Sequence, residues 1–133
     1  MFFFRLLAGK AGVQYPIDVA TDGEHAVSYL ERCAQGTAAL PLVAFIDLKL
    51  PKLFGFEVLK WIAEQPALES MPRIVLTSSY EDRDVGQAYA LGANGYLVKY
   101  PTCDDIAAVV HAAESGAAPH LLKLPGVRPP VER

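Results

Sequence analysis

The sequence is poor in cysteine, has no run of basic residues and contains no long apolar stretch. Its two cysteines, Cys33 and Cys103, stand far apart and match no CxxC or Cys/His ligand spacing. That excludes a disulfide scaffold and a zinc site, and two reduced thiols are expected. Lysine and arginine total 12 against 15 aspartate and glutamate, for a formal net charge of −3. The basic residues never cluster, so the electrostatic footprint of a nucleic-acid binder is missing. The apolar start, residues 1–8, is interrupted by Arg5. It falls far short of the ~20 residues of a membrane-spanning helix, and it lacks the charged lead and longer apolar region of a signal peptide. A cytoplasmic protein with no membrane partner is expected. No glycine-rich phosphate loop follows any strand, and His25, His111 and His120 do not cluster near a nucleophile. A nucleotide-binding enzyme is therefore not expected.

What is present suits one domain. The chain has 133 residues, 52% of them apolar, enough for a real core. Helical and strand patterns alternate along it. Phe3, Leu6 and Leu7 fall at helical spacing, with Gly12 as a stop. Residues 17–20 form a short strand candidate, and Asp22 caps a helix running to about Arg32. The run Leu42-Val43-Ala44-Phe45-Ile46 shows no alternation, as in a strand buried on both faces of a parallel sheet. A helix follows over residues 55–65, then a second buried strand, Ile74-Val75-Leu76. Residues 82–91 form a helix closed by Gly92, and Tyr96-Leu97-Val98 a third buried strand. Ile106, Val109, Val110 and Ala113 mark a last amphipathic helix. Residues 117–133 are proline-rich and read as a flexible tail. Alternating helices and short buried strands indicate an α/β, doubly wound parallel sheet.

In such sheets ligands sit at the carboxyl ends of the strands. Here those ends carry Asp47, Thr77 and Lys99. Each alone has an ordinary reading: a turn carboxylate, a strand hydroxyl, a solvated ammonium. Together they suit a phosphoryl group. A carboxylate accepts it as a nucleophile, an ammonium neutralises its oxygens, and a hydroxyl donates a hydrogen bond to one of them. Phosphoryl transfer asks mainly for positioning and charge neutralisation.

The motifs Ala44-Phe45-Ile46-Asp47-Leu48-Lys49-Leu50-Pro51, Gly55-Phe56-Glu57-Val58-Leu59, Ile74-Val75-Leu76-Thr77-Ser78-Ser79 and Ala90-Leu91-Gly92-Ala93-Asn94-Gly95-Tyr96-Leu97-Val98-Lys99 resemble those of response-regulator receiver domains. The resemblance covers residues 2–114. Within the family, Thr21-Asp22-Gly23-Glu24 and Ser78-Ser79-Tyr80-Glu81-Asp82 look closest to single-domain regulators that partner phytochrome-like histidine kinases. The resemblance implies a flavodoxin-like fold with residues 1–116 as the receiver unit. It implies Asp47 as phosphoacceptor, Thr77 as switch hydroxyl, Lys99 as phosphate-binding lysine and Tyr96 as the aromatic switch. It implies Mg²⁺ held by Asp47 and the Lys49 backbone carbonyl. The partners it implies are a histidine kinase and a downstream protein, or a second copy, on the face made by residues 82–91, 96–98 and 106–113.

Two departures qualify these expectations. Receivers open with an apolar strand ending in two acidic residues that hold the Mg²⁺, whereas no acidic residue precedes Asp18. Residues 2–12 match the family's first helix, so the first strand and its acidic pair are missing. Three accounts fit: a natural start upstream of Met1, a degenerate receiver that acts as a phosphorylation-independent interaction module, or a gap filled by a partner or swapped segment. The first is preferred for the natural protein. In any case Mg²⁺ binding by this chain is expected to be weak, because one carboxylate and one carbonyl are a thin shell for an octahedral ion. The second departure is Tyr100, which separates Lys99 from Pro101 where the family has proline directly after the lysine.

Overall fold

The computed structural model describes residues 23–37, 40–48, 55–78, 81–99, 101–114 and 126–130. The helix expected over residues 2–12, the strand expected over residues 17–20 and the Asp22 cap lie outside the described residues. Within them the order is α1 (Gly23–Ala34), β1 (Ala44–Ile46), α2 (Gly55–Ala63), a short 3₁₀ turn (Pro66–Leu68), β2 (Arg73–Thr77), α3 (Asp82–Ala90), β3 (Gly95–Val98) and α4 (Cys103–Glu114).

The three strands pair in parallel in the order β1-β2-β3, with Ile46 opposite Val75 and Thr77 opposite Val98. Parallel neighbours need crossovers, and α2 and α3 supply them. Side chains alternate across a strand, so each strand feeds two cores. Ile46, Val75 and Tyr96 pack with Leu30 of α1, Val58, Leu59 and Ile62 of α2, and Val85 and Ala88 of α3. Ile74, Leu76 and Leu97 point the other way and pack with Val109 of α4. All five residues of β2 are buried, as its uninterrupted apolar run requires. The expected α/β parallel sheet, covered by helices on both faces, is the architecture observed.

Local chemistry sets the ends of these elements. Pro66 cannot extend α2; it opens the 3₁₀ turn instead, as a fixed φ at a first helical position allows. Arg73 then does something its place at a strand start does not announce. It is 7% exposed, and its guanidinium donates to the carbonyls of Leu68 at 2.9 Å and Met71 at 3.2 Å, tying the turn to β2. Burial lowers its pKa, opposed by the charge of Glu69. At the end of α3, the Gly92 N–H reaches the Tyr89 carbonyl and the Ala93 N–H the Ala88 carbonyl. This double closure needs its first donor residue in left-handed backbone, and Gly92 has φ +102°.

The C-terminal residues 126–130, expected within a flexible tail, are seated on the sheet. Val127 is 6% exposed and joins the core beneath α4. The Arg128 N–H donates to the Tyr96 carbonyl at 2.8 Å.

Two glycine substitutions in α3 and its cap have opposite expected signs. Gly92→Ala forces a side chain into left-handed backbone and destabilises the domain by about 1–2 kcal/mol. Gly86 lies inside α3 with open space where a Cβ would stand, so Gly86→Ala stabilises by about 0.5–1 kcal/mol. Urea-denaturation midpoints check both.

Candidate functional site

Parallel register brings the strand ends to one edge. Asp47 directly follows β1, Thr77 is the last residue of β2, and Lys99 directly follows β3. The Lys99 N–H donates to the Thr77 carbonyl at 2.7 Å, so the backbone fixes the lysine beside the threonine. The Lys99 ammonium crosses the mouth of β2 and meets Asp47 Oδ2 at 2.5 Å. The pair keeps some contact with water, at 29% and 23% side-chain exposure. A carboxylate this accessible can be reached by a donor, while Thr77 between the pair's two strands is fully buried.

The backbone beyond Asp47 is held from the side by α2. The Gly55 N–H donates to the Leu48 carbonyl at 3.2 Å. A Cβ on Gly55 would stand 2.4 Å from the Asp47 carbonyl oxygen and 2.6 Å from the Leu48 Cα. Only glycine admits that approach. Spacing alone marks Gly55 as the residue after a loop, not as one touching the candidate acceptor's own backbone.

The structure thus brings together Asp47, Thr77 and Lys99. Tyr96 is placed differently: it is fully buried in the core with Val75, Val85 and Ala88, on β3 three residues before Lys99. Lys49 and Tyr100 lie outside the described residues. Among the described residues no group of three or more His, Cys, Asp and Glu side chains is placed to hold an ion, and Asp47 alone does not fit the near-octahedral oxygen shell of Mg²⁺. Among the described residues no helix is long and apolar enough to cross a membrane.

This edge defines a class: a parallel α/β module presenting one carboxylate, one hydroxyl and one ammonium at adjacent strand ends. Residues 4–111 match the response regulator receiver domain, and the chain belongs to that family. It is 37% identical over 97 residues to the probable methanogenesis regulatory protein FilR2 of Methanothrix harundinacea, spanning 73% of this chain but only 63% of FilR2. It is 33% identical over 104 residues to response regulator Rcp1 of Synechocystis, spanning 77% and 71% of the two chains. The Mn²⁺-bound form of Rcp1 matches the structure with a TM-score of 0.62 at 28% identity, over 96% of this chain and 91% of the other. The phosphorylated cyanobacterial phytochrome response regulator RcpA matches with a TM-score of 0.68 at 28% identity, over 86% and 85%. The chain is a receiver domain of the two-component signalling type, related to phytochrome response regulators.

Packing around Gly55 and charge pairing at Lys99 contribute to stability unequally. Gly55→Ala overpacks against backbone and costs about 2 kcal/mol. Lys99→Met removes a partly hydrated ion pair and costs at most about 1 kcal/mol. Urea titrations of the two variants against the parent test this ordering.

Proposed function

We propose that the chain is a single-domain response regulator that accepts a phosphoryl group on Asp47 from a histidine kinase and signals by binding a protein. The observation that carries this reading is the convergence of Asp47, Thr77 and Lys99 at one sheet edge, with the Lys99 ammonium already against the acceptor carboxylate. A carboxylate oxygen of Asp47 forms the new O–P bond as the P–N bond of a phosphohistidine breaks. The electron pair of that bond stays on the imidazole nitrogen, which takes a proton from water. The product is an acyl phosphate. Its charge moves outward from the carboxylate to the phosphoryl oxygens, and Lys99 follows it. The Thr77 hydroxyl donates to one of those oxygens.

The consequence is mechanical. Thr77 ends β2 four residues before Glu81, the residue that precedes α3. Drawing Thr77 towards a phosphoryl group shifts the population of the following loop and α3, with buried Tyr96 as the aromatic that responds. Residues 1–116 form the receiver unit in this reading, the partner is a protein and not nucleic acid, and the setting is the cytoplasm.

A second reading is an interaction module that works without phosphorylation. One experiment separates the two. The chain and Asp47→Ala are incubated with phosphoramidate and Mg²⁺, and intact mass is recorded. The proposal expects a gain of one phosphoryl group in the chain and none in the variant, with Lys99→Met reduced by at least about tenfold in loading rate. No gain in a chain shown to be folded by circular dichroism supports the second reading.

A further inference from the structure

Beyond the acceptor edge, the best-defined arrangement that this function does not use is the outer side of β3. Strand β3 ends the described sheet. Its Tyr96 carbonyl accepts from the Arg128 N–H at 2.8 Å, so residues 126–130 extend the hydrogen bonding past the last strand. The same short segment is attached at four further points. The Val127 side chain enters the core formed by Ile74, Leu76, Leu97 and Val109. Gly126 lies so close to α4 that a Cβ there would stand 2.1 Å from Asp105 Oδ1. The Tyr89 hydroxyl donates to the Arg128 carbonyl. The Arg128 guanidinium pairs with Asp82, the first residue of α3.

The geometry of these contacts is a wrap. Val127 sits on the α4 side of the sheet, whereas Tyr89 and Asp82 belong to α3 on the other side. Two glycines make room for it. Gly126 allows the approach to Asp105, and a Cβ on Gly95 would stand 3.3 Å from Val127 Cγ1. Burial pushes the Tyr89 phenol up to about 12, so it stays a neutral donor to the segment at physiological pH.

We propose that residues 126–130 are an intramolecular strap, the resident ligand of the α3–β3–α4 face, which masks that face from protein partners and clamps the start of α3. The strap stands on its own contacts and holds whether or not Asp47 accepts a phosphoryl group. A partner for this face must displace a Gly-Val-Arg-Pro segment bound along a sheet edge, and therefore meets the same needs: an extended backbone donor for Tyr96, an aliphatic side chain for the Val127 site and a cation for Asp82.

The test is amide hydrogen exchange by NMR on the full chain, read at Arg128. The Lys99 amide, bonded to the Thr77 carbonyl on the inner side of β3, reports whether the domain remains folded. In the parent, the Arg128 amide is expected to be protected, equally in dilute and concentrated samples. In Gly126→Ala and in Arg128→Met it exchanges faster by about tenfold or more, while Lys99 protection is unchanged. Should Gly126→Ala disturb Lys99 as well, Asp82→Asn, at an exposed side chain, provides the same reading without a change in packing. An unprotected Arg128 amide in the parent overturns the strap. Protection that disappears on dilution overturns it also, because the segment then comes from a second copy.

Discussion

The contact between the Lys99 ammonium and the Asp47 carboxylate depends on parallel register, and much of the molecule is arranged to keep that register. Lys99 reaches Asp47 across an intervening strand. A slip of one residue in either pairing would turn the side chains of a strand to the opposite face. Ile74 and Leu76 would then leave the α4 side and Val75 the α2–α3 side, and both cores would be lost. Hydrophobic burial thus fixes electrostatic geometry. Each fully buried aliphatic side chain contributes about 1.5–3 kcal/mol, against at most about 1 kcal/mol for a pair that keeps contact with water. The cores hold the pair in place; the pair does not hold the cores.

Much of this was legible in the residues. Three uninterrupted apolar runs mark buried strands, and an acidic, a hydroxyl and a basic residue at their ends mark the edge. The helix α3 and its stop were legible because Gly92 is the residue type that left-handed closure demands. What was not legible is tertiary. Arg73 reads as an ordinary charge at a strand start, yet it is buried and one guanidinium nitrogen donates to the carbonyls of Leu68, in the turn that Pro66 opens, and of Met71. Gly55 reads as a loop residue, and its role comes from where α2 lands on the Asp47–Leu48 backbone. Val127 and Arg128 were concealed by proline-rich composition, which marks a segment unable to build its own core but not one that borrows an existing core.

The two ends of β3 connect the acceptor edge to the strap. Lys99 follows the strand at one end, and Tyr96 within it is buried by side chain and bonded to residue 128 by its carbonyl. Helix α3 is similarly shared: it begins five residues after Thr77 and carries both Asp82 and Tyr89. If a phosphoryl group on Asp47 moves Thr77 and α3, it also moves two of the strap's attachments. By linkage, whatever loosens the strap then alters the acceptor edge by the same coupling free energy. A switch with a masked output face responds only when both parts yield.

The central claim is that the edge carboxylate is the nucleophile. It is tested most directly by trapping the acyl phosphate with borohydride and mapping the reduced residue by peptide mass spectrometry. The account predicts a single modified position, Asp47, converted to homoserine after treatment with phosphodonor. Modification confined to another carboxylate, such as Glu57 or Asp82, would contradict it.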